Sequence, residues 1–507
     1  MQEANDENHK ISMGSLPETV GVWIELDVLT LQLCFGEGLI RWLRCLIMGI
    51  DELPAVKEVI IPCTSEAAPV IRKLFAERGR CGDDQCLVSK KLQVKAFSLN
   101  GSSIESLREW LRRKIAYLEN RLDRLSKTAC SKRSLKHLFR EIFEKPRTSR
   151  HEMSRFALSI ICINDLVLRQ FLLMVLRWIT PKKTPFDRLA LKASKAFPGT
   201  SWVIANPVWK NAAILEGRRI VTIPDLVYRE FRLDGFTEEE LQTHTKTVRK
   251  VATAADKIIC FSSHVVHQQI AGLLPDHDSK KICVVPHAPI HSGSFSDSQN
   301  DSRTQLGSEL RHLFSSEQLH RHYCDFPFER MRYVLVSSQV RPYKNYKRLL
   351  EAYDAILRRH RRNIKLVVTG NLDSDHELAF FLQEKGLVFD VIQSWNVGED
   401  LHSRLVRHAE LIVIPTLFEG GMPFGFAESV GMGTPCAFSR IPAFTESLTE
   451  QELAGPEVFN PRDSGSIERT ILHVLDHREE VLKRQKLVVE RLSQRTWTNV
   501  AEECLGY

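Results

Sequence analysis

Short apolar runs rich in β-branched residues alternate along most of the 507-residue chain with longer amphipathic segments. The runs have the length and composition of buried parallel strands, and the longer segments those of helices. Their alternation predicts two doubly wound α/β domains. The predicted strands form two groups, at 20–28, 58–62, 93–98, 201–206, 219–223, 257–262 and 282–287, and at 333–338, 365–370, 388–392 and 411–415.

Residues 102–196 interrupt this alternation within the first domain. Leucine and isoleucine recur from Leu111 to Leu125 at alternating spacings of four and three, a heptad seam on a charged helix. The pattern predicts a helical insertion, and residues 101–150 hold fourteen Lys and Arg against six Asp and Glu. One interpretation is a helical hairpin with a solvated basic face. The other is contact of the basic helices at 105–150 with an anionic membrane surface.

Charge and cysteine usage narrow the class of protein. The net charge of +7 is concentrated in the insertion, which argues against a nucleic-acid-binding protein. The 12 cysteines are scattered without a Cys-x-x-Cys pair or a metal-ligand spacing, so no metal site is predicted. Residues 1–19 are polar, are predicted to be disordered, and show no signal peptide. The apolar stretch 156–179 carries too many polar residues for a membrane span. The expected location is cytoplasmic, with peripheral attachment to the inner face of the cytoplasmic membrane as an alternative.

Composition also predicts the division of the chain. The first domain is expected over 20–300, and the Ser-, Asp- and Gln-rich sequence that follows predicts a linker over 301–330. The second domain is expected over 331–480. Residues 481–507 continue with a helical pattern.

The chemistry is concentrated in residues 411–435, with the sequence LIVIPTLFEGGMPFGFAESVGMGTP. A predicted strand ends there in a Gly-rich loop and a helix begins, an arrangement that favours an anionic group. Glu419 and Glu428 frame the loop, and carboxylates accept hydrogen bonds from hydroxyl groups. Phosphate and hydroxyl recognition together suggest a sugar nucleotide. The alternative is that both glutamates are surface residues at a helix start.

This segment resembles the donor site of GT-B glycosyltransferases of the retaining family 4. The resembling residues are Glu419-Gly420-Gly421, Glu428-Ser429 and Gly433-Thr434-Pro435, with eight residues between the glutamates where the family usually has seven. The resemblance implies that Glu428 binds the ribose and Glu419 the donor hexose. The loop residues Met422, Pro423, Phe424 and Gly425 would complete the donor site.

Other segments resemble the same family. Lys344 matches its pyrophosphate-binding lysine, while Gln339, beside Ser338, occupies the slot of its usual arginine and leaves Arg341 as the nearest guanidinium. Trp395 or its neighbours Asn396 and Val397 would pack on the nucleotide base, and a buried tryptophan at a domain edge explains Trp395 equally well. On the acceptor side, the matching positions are Gly36, Gly38, Asp225 and His287, although Pro224 replaces a usual histidine. Gly36 and Gly38 also fit an ordinary strand-to-helix turn, and His287 a structural histidine.

The resemblance implies a GT-B fold with two Rossmann-like domains facing a cleft, and a C-terminal helix at 481–507 that returns to the first domain. It implies a metal-independent retaining transferase without a cofactor. The enzyme would move a hexose from a nucleoside diphosphate sugar to a saccharide or lipid-linked acceptor in polysaccharide or glycoconjugate biosynthesis. Residues 439–446 resemble mannosyltransferases, which favours GDP-mannose. The alternatives are a non-catalytic scaffold, suggested by Pro224 and the Glu–Glu spacing, and a sugar-nucleotide epimerase.

Overall fold

Two parallel β-sheets with flanking helices carry the fold in a computed structural model of the chain. The structure describes residues 16–26, 38–75, 91–97, 185–231, 237–274, 280–290, 302–315, 323, 326–395 and 397–506. Two units are distinguished, one of residues 1–97 and 190–507 and one of residues 98–189. Both sheets belong to the first unit. The predicted helices at 105–150, and the rest of 98–184, lie outside the described residues.

The first sheet has seven parallel strands in the described part of the chain, in the order β3-β2-β1-β4-β5-β6-β7. The strands are β1 Thr19–Trp23, β2 Glu58–Thr64, β3 Leu92–Phe97, β4 Ser201–Ile204, β5 Arg218–Ile223, β6 Lys257–Cys260 and β7 Ile282–Val284. The α-helices in this part of the chain are α1 Gly38–Asp51, α2 Ala68–Phe75, α3 Pro185–Ala196 and α4 Glu238–Thr253. A π-helix lies at Val265–Ile270, and 3-10 helices lie at Lys210–Ile214 and Val227–Arg229. The central strands are buried along their length, as continuous apolar runs require.

The second sheet has six parallel strands among the described residues, in the order β10-β9-β8-β11-β12-β13. The strands are β8 Tyr333–Val336, β9 Lys365–Val368, β10 Val391–Gln393, β11 Leu411–Ile414, β12 Cys436–Ser439 and β13 Val458–Phe459. The α-helices are α5 Arg303–Ser315, α6 Tyr346–Arg358, α7 His376–Glu384, α8 Glu399–His408, α9 Phe424–Gly431, α10 Pro442–Thr445, α11 Glu450–Leu453, α12 Ser464–Asp476, α13 Arg478–Leu492 and α14 Trp497–Leu505. Short 3-10 helices lie at Phe328–Arg330, Pro342–Lys344 and Leu372–Ser374.

The two doubly wound sheets confirm the predicted fold class, and every predicted strand is present with ends shifted by a few residues. The strands β12 and β13, at one edge of the second sheet, were not predicted. No helix in the described part of the chain combines the length and apolar character needed to span a membrane.

The structure corrects the prediction of a linker over 301–330, because part of this segment is helical and packs in a core. Helix α5 occupies most of its first half, and its buried side chains Leu306, Leu310 and Phe314 belong to the core cluster of the second sheet. Phe328 and Tyr333 belong to the same cluster. The four-residue spacing of these apolar residues specifies a buried helix face, which the surrounding Ser, Asp and Gln residues hide in a composition count.

The last helix, α14, packs against α1 of the first sheet. Its end is held by Arg218, which donates to the carbonyl oxygens of Leu505 and Gly506 at 2.5 and 2.6 Å. Lys257 donates at 2.7 Å to the carbonyl oxygens of Glu503 and Gly506. The C-terminal helix therefore reaches the first sheet, although its sequence follows the second.

Substitution of Gly49 by alanine tests this docking. A Cβ atom at Gly49 would lie 2.1 Å from the backbone oxygen of Trp497, whereas one at Gly38, on the same helix, would meet nothing within 4 Å. We expect Gly49→Ala to lower the free energy of unfolding by about 1–3 kcal/mol, as overpacking does. Gly38→Ala should leave it unchanged or slightly raised. Equal denaturant midpoints for the two variants would contradict the docking.

Candidate active site

A cleft of about 1540 Å³ lies at the carboxyl ends of the strands of both sheets. Ligands of open α/β folds bind at such strand ends. The predicted site residues that line it are Gly38, Asp225, His287, Ser338, Gln339, Arg341, Lys344, Trp395, Val397, Glu419, Gly420, Gly421, Met422, Pro423, Phe424, Gly425 and Glu428. Gly36 and Asn396 lie outside the described residues.

Lys344 and Glu419 form an ion pair inside the cleft. Lys344 Nζ lies 2.5 Å from Glu419 Oε1, and the two side chains are only 18% and 20% exposed. The sequence assigned these residues to different parts of a donor, the diphosphate and the hexose, and the structure brings them into direct contact. Because both side chains are largely shielded from solvent, water screens their Coulombic attraction less than that of a surface ion pair.

Asn345 fixes the backbone that carries Lys344. It adopts a left-handed conformation with φ of 60°, which asparagine tolerates better than most residues. Its side-chain nitrogen donates to the carbonyl oxygens of Pro415 and Pro461 at 2.9 and 2.8 Å. These bonds tie the loops after β8, β11 and β13 together and set the position of the lysine.

Asp225 contributes a carboxyl group from the first sheet, directly after β5. Its Oδ1 accepts a hydrogen bond from the backbone of Val227 at 3.1 Å. Burial raises the pKa of Asp225 above its ordinary value, and Glu419 raises it further, while the Val227 hydrogen bond and Lys344 oppose the shift. Asp225 is therefore close enough to the Lys344–Glu419 pair to interact with its charges.

The glycines of the loop after β11 face the first sheet. A Cβ atom at Gly420 would lie 2.1 Å from the carbonyl oxygen of Pro224, and one at Gly421 would lie 2.9 Å from the side chain of Phe261. Ser262 Oγ donates to the carbonyl oxygen of Gly420 at 2.8 Å. From the sequence, this Gly-rich loop was predicted to favour an anionic group. In the structure, the absence of side chains at these glycines lets the loop pack directly against residues that follow strands of the first sheet.

Glu428 is bound by a cation from the opposite wall of the cleft. Arg41, in the first turn of α1, donates a hydrogen bond to its Oε1. The Arg41 guanidinium also lies 5.4 Å from the ring centroid of Phe424, within cation–π range. One turn later, Arg44 lies 3.4 Å from Glu399 at the start of α8. Two arginines of one helix thus pair with two glutamates of the second sheet's domain.

His287 is part of an aromatic cluster at one end of the cleft. Its ring centroid lies 4.4 Å from that of Phe424 and 6.3 Å from that of Trp497, onto which it stacks in a nearly parallel arrangement. Burial lowers the pKa of His287 to about 4. A neutral, stacked ring of this kind is a structural element of the cleft wall.

A second histidine in the cleft, His402, was not predicted. Its Nε2 lies 2.6 Å from Ser337 Oγ, at the end of β8. Its pKa is also lowered to about 4, chiefly by burial and then by the nearby Arg41. No group of three or more potential metal ligands exists among the residues that the structure describes.

Sequence reasoning missed Arg41, Arg44, Glu399 and His402. Arg41 and Glu428 are separated by 387 positions, so no local pattern relates them. The only signal in the sequence was that Arg41 and Arg44 follow Gly36 and Gly38 closely, three residues apart. Asn345 stood in a quoted motif, but its bridging bonds connect loops that are far apart in sequence.

Comparison with known proteins adds the family context. Residues 326–488 match the model of the family described as glycosyl transferases group 1. An uncharacterized glycosyltransferase of Methanocaldococcus jannaschii is 30% identical over 169 residues, which cover 32% of this chain. The match spans 41% of that relative's length. Together with the fold, these matches support the glycosyltransferase superfamily.

Solved structures resemble the chain over nearly its whole length. HepE of Anabaena in complex with UDP-glucose has a TM-score of 0.55 at 10% identity, covering 96% of this chain and 98% of HepE. A glycosyltransferase of Rickettsia africae has a TM-score of 0.50 at 10% identity and covers 96% of both chains. The chain has the GT-B fold.

The close approach at Gly420 can be tested by hydrogen exchange. Gly420→Ala should push the loop away from Pro224 and break the Ser262 bond, so that amides of residues 415–426 exchange faster than in the wild type. Gly425→Ala in the same segment is the matched control, because a Cβ there meets nothing within 4 Å. Wild-type exchange in both variants would contradict the proposed contact.

The lowered pKa of His287 predicts a pH dependence of stability. Between pH 6.5 and about 4 the unfolded chain protonates this histidine while the folded chain does not, so stability falls as the pH falls. His287→Phe keeps an aromatic ring but removes the titration. The variant should lose about 1.4 kcal/mol less stability per pH unit across that window. Identical slopes in denaturant titrations would show that His287 titrates normally.

Proposed function

We propose that this protein is a retaining glycosyltransferase that uses a nucleoside diphosphate hexose as donor. The observation that carries the proposal is the partly buried Lys344–Glu419 pair at the strand ends of the second sheet, opposite Asp225 of the first. A cation and carboxylates in one cleft match a donor that combines a diphosphate with sugar hydroxyls. The family match over residues 326–488 supports the same class of reaction.

The reaction breaks the bond between the anomeric carbon and the diphosphate oxygen, and its electron pair leaves with the diphosphate. Lys344 would stabilise that developing negative charge, as a preorganised cation in a low-dielectric site does. Glu419 accepts hydrogen bonds from the hexose hydroxyls in this scheme. The acceptor oxygen forms the new bond to the anomeric carbon, and its proton passes to the departing phosphate. No metal takes part in the proposed reaction.

The proposed identity of the hexose is based on a segment other than the Lys344–Glu419 pair. The preference for GDP-mannose came from the resemblance of residues 439–446, and none of these lines the cleft. Glu446 instead accepts hydrogen bonds from the backbone nitrogens of Ser263 and His264 at 2.6 and 2.8 Å. HepE was solved with UDP-glucose. Mannose stays the proposal that the sequence favours. Because the residues that suggested it do not line the cleft, UDP-hexoses are included in the test.

The acceptor is proposed to be a saccharide or a lipid-linked saccharide. Asp225 lies directly after β5, in the domain proposed to bind the acceptor, and its pKa is affected by Glu419 and Lys344. In this proposal its carboxyl group lies near the reacting centre. Carboxyl groups bind sugar hydroxyls. A lipid-linked acceptor would agree with membrane contact through 105–150, a proposal on residues outside the described part of the chain.

The test is a donor screen on the wild type and two lysine variants. GDP-mannose, UDP-glucose, UDP-galactose and UDP-N-acetylglucosamine are added with EDTA, and thermal stabilisation and donor hydrolysis are measured. We expect one donor to stabilise the wild type and to be hydrolysed slowly. Lys344→Ala should lower the donor affinity and the hydrolysis rate by about tenfold or more, because a partly buried charged contact to phosphate is lost.

The matched control is Lys347→Ala, since Lys347 lies one turn further on, exposed and paired with Glu377 at the surface. It should respond to the donor as the wild type does. Binding without hydrolysis or transfer would favour the scaffold alternative, and conversion of the donor to an isomer would favour an epimerase. Retention is checked by the anomeric configuration of the transferred sugar.

A further inference from the structure

The charges that line the cleft balance. The charged residues of its described lining are four cations, Arg41, Arg44, Arg341 and Lys344, and four acids, Asp225, Glu399, Glu419 and Glu428. A diphosphate would bring at least two negative charges into this lining. Cations that already have partners must then turn part of their hydrogen-bonding capacity toward the ligand.

Arg41 is the cation best placed to do so from the wall opposite Lys344. It contacts Glu428 on the second turn of α9 and lies over the ring of Phe424, the first residue of that helix. Its guanidinium is therefore at the start of α9, where the backbone N–H groups and helix dipole also favour an anion. The side chain is 27% exposed, so it remains accessible from the cleft.

We propose that Arg41 binds the donor diphosphate from the first domain, and that its guanidinium then exchanges part of its contact with Glu428 for phosphate oxygens. A guanidinium presents five N–H donors in a planar fork, and one carboxylate oxygen leaves several for phosphate oxygens. This inference rests on the proposed function and assigns a binding role to a residue outside the second domain. The diphosphate then lies between Lys344 on one wall and Arg41 on the other.

The second domain supplies a reason for this arrangement. Gln339 is neutral and accepts a hydrogen bond from Arg341 at 2.9 Å, and Arg341 is exposed at the rim. Within the described loop after β8, Lys344 is therefore the only partly buried cation that faces the cleft. Arg41 adds the second charge that a diphosphate requires.

The experiment compares the affinities of a nucleoside diphosphate and the corresponding monophosphate. UDP and UMP, and GDP and GMP, are titrated calorimetrically into the wild type, Arg41→Gln, Arg41→Lys and Glu428→Gln. We expect the wild type to prefer one diphosphate over its monophosphate. Arg41→Gln should reduce that preference by about tenfold or more. Arg41→Lys should keep part of it, because the charge remains without the fork.

Glu428→Gln separates binding from a structural role, because it removes the same ion pair but retains the guanidinium. Its diphosphate-to-monophosphate preference should be at least that of the wild type, although both affinities fall if Glu428 binds the ribose. Arg44→Gln, one turn along α1, should also keep the wild-type preference.

A further variant tests the charge argument. Gln339→Arg, added to Arg41→Gln, should restore much of the lost diphosphate preference by placing a guanidinium on the second domain.

Three outcomes would contradict the inference. An unchanged preference in Arg41→Gln, with a wild type that discriminates, would overturn the role of Arg41 and leave the proposed function standing. The same loss in Glu428→Gln as in Arg41→Gln would mean that the ion pair, and not the guanidinium, supports binding. A wild type that binds neither diphosphate would overturn the proposed function, and the inference with it.

Discussion

The contact between the Gly420–Gly421 loop and the strand ends of the first sheet determines the geometry of the whole cleft. Pro224 and Phe261 occupy the space that side chains at these glycines would fill, and Ser262 fixes the loop with a hydrogen bond. Glu419 immediately precedes this contact. Its carboxylate, the lysine that it binds and the carboxyl group after β5 therefore share one small volume.

Charge neutrality follows from the same proximity. Acidic and basic side chains that are brought together at low exposure must pair, since an unpaired buried charge costs several kcal/mol (about 3–5). The Lys344–Glu419 and Arg41–Glu428 pairs satisfy that requirement. Burial and the neighbouring Glu419 both raise the pKa of Asp225, while Lys344 lowers it, so this carboxyl group interacts with the same charges. When a negatively charged ligand binds, the cations of these pairs must redirect some of their hydrogen bonds from the glutamates to the ligand.

The extent to which sequence predicted the structure depended on the range of each interaction. The strands and the fold class were predictable, because apolar periodicity is local. The loop and helix around Glu419 and Glu428 were also recognisable, since the motif is continuous. The Arg41–Glu428 contact was not, because its partners lie 387 positions apart. The linker error at 301–330 had a different cause: polar composition outweighed the spacing of Leu306, Leu310 and Phe314, which specifies a buried helix face.

The last helix, α14, makes a further contact that restrains the segment after the Gly420–Gly421 loop. Trp497 stacks on His287, which also packs on Phe424, and its indole nitrogen donates to the carbonyl oxygen of Pro289 at 3.1 Å. Residues from the end of the first sheet, the start of α9 and the C-terminal helix thus meet in one aromatic cluster. The lowered pKa keeps His287 neutral at physiological pH, so the cluster needs no counter-charge. A movement of the segment that carries Glu419 and the start of α9 would have to separate these rings. The positions of Glu419 and Glu428 are therefore coupled to the docking of the last helix.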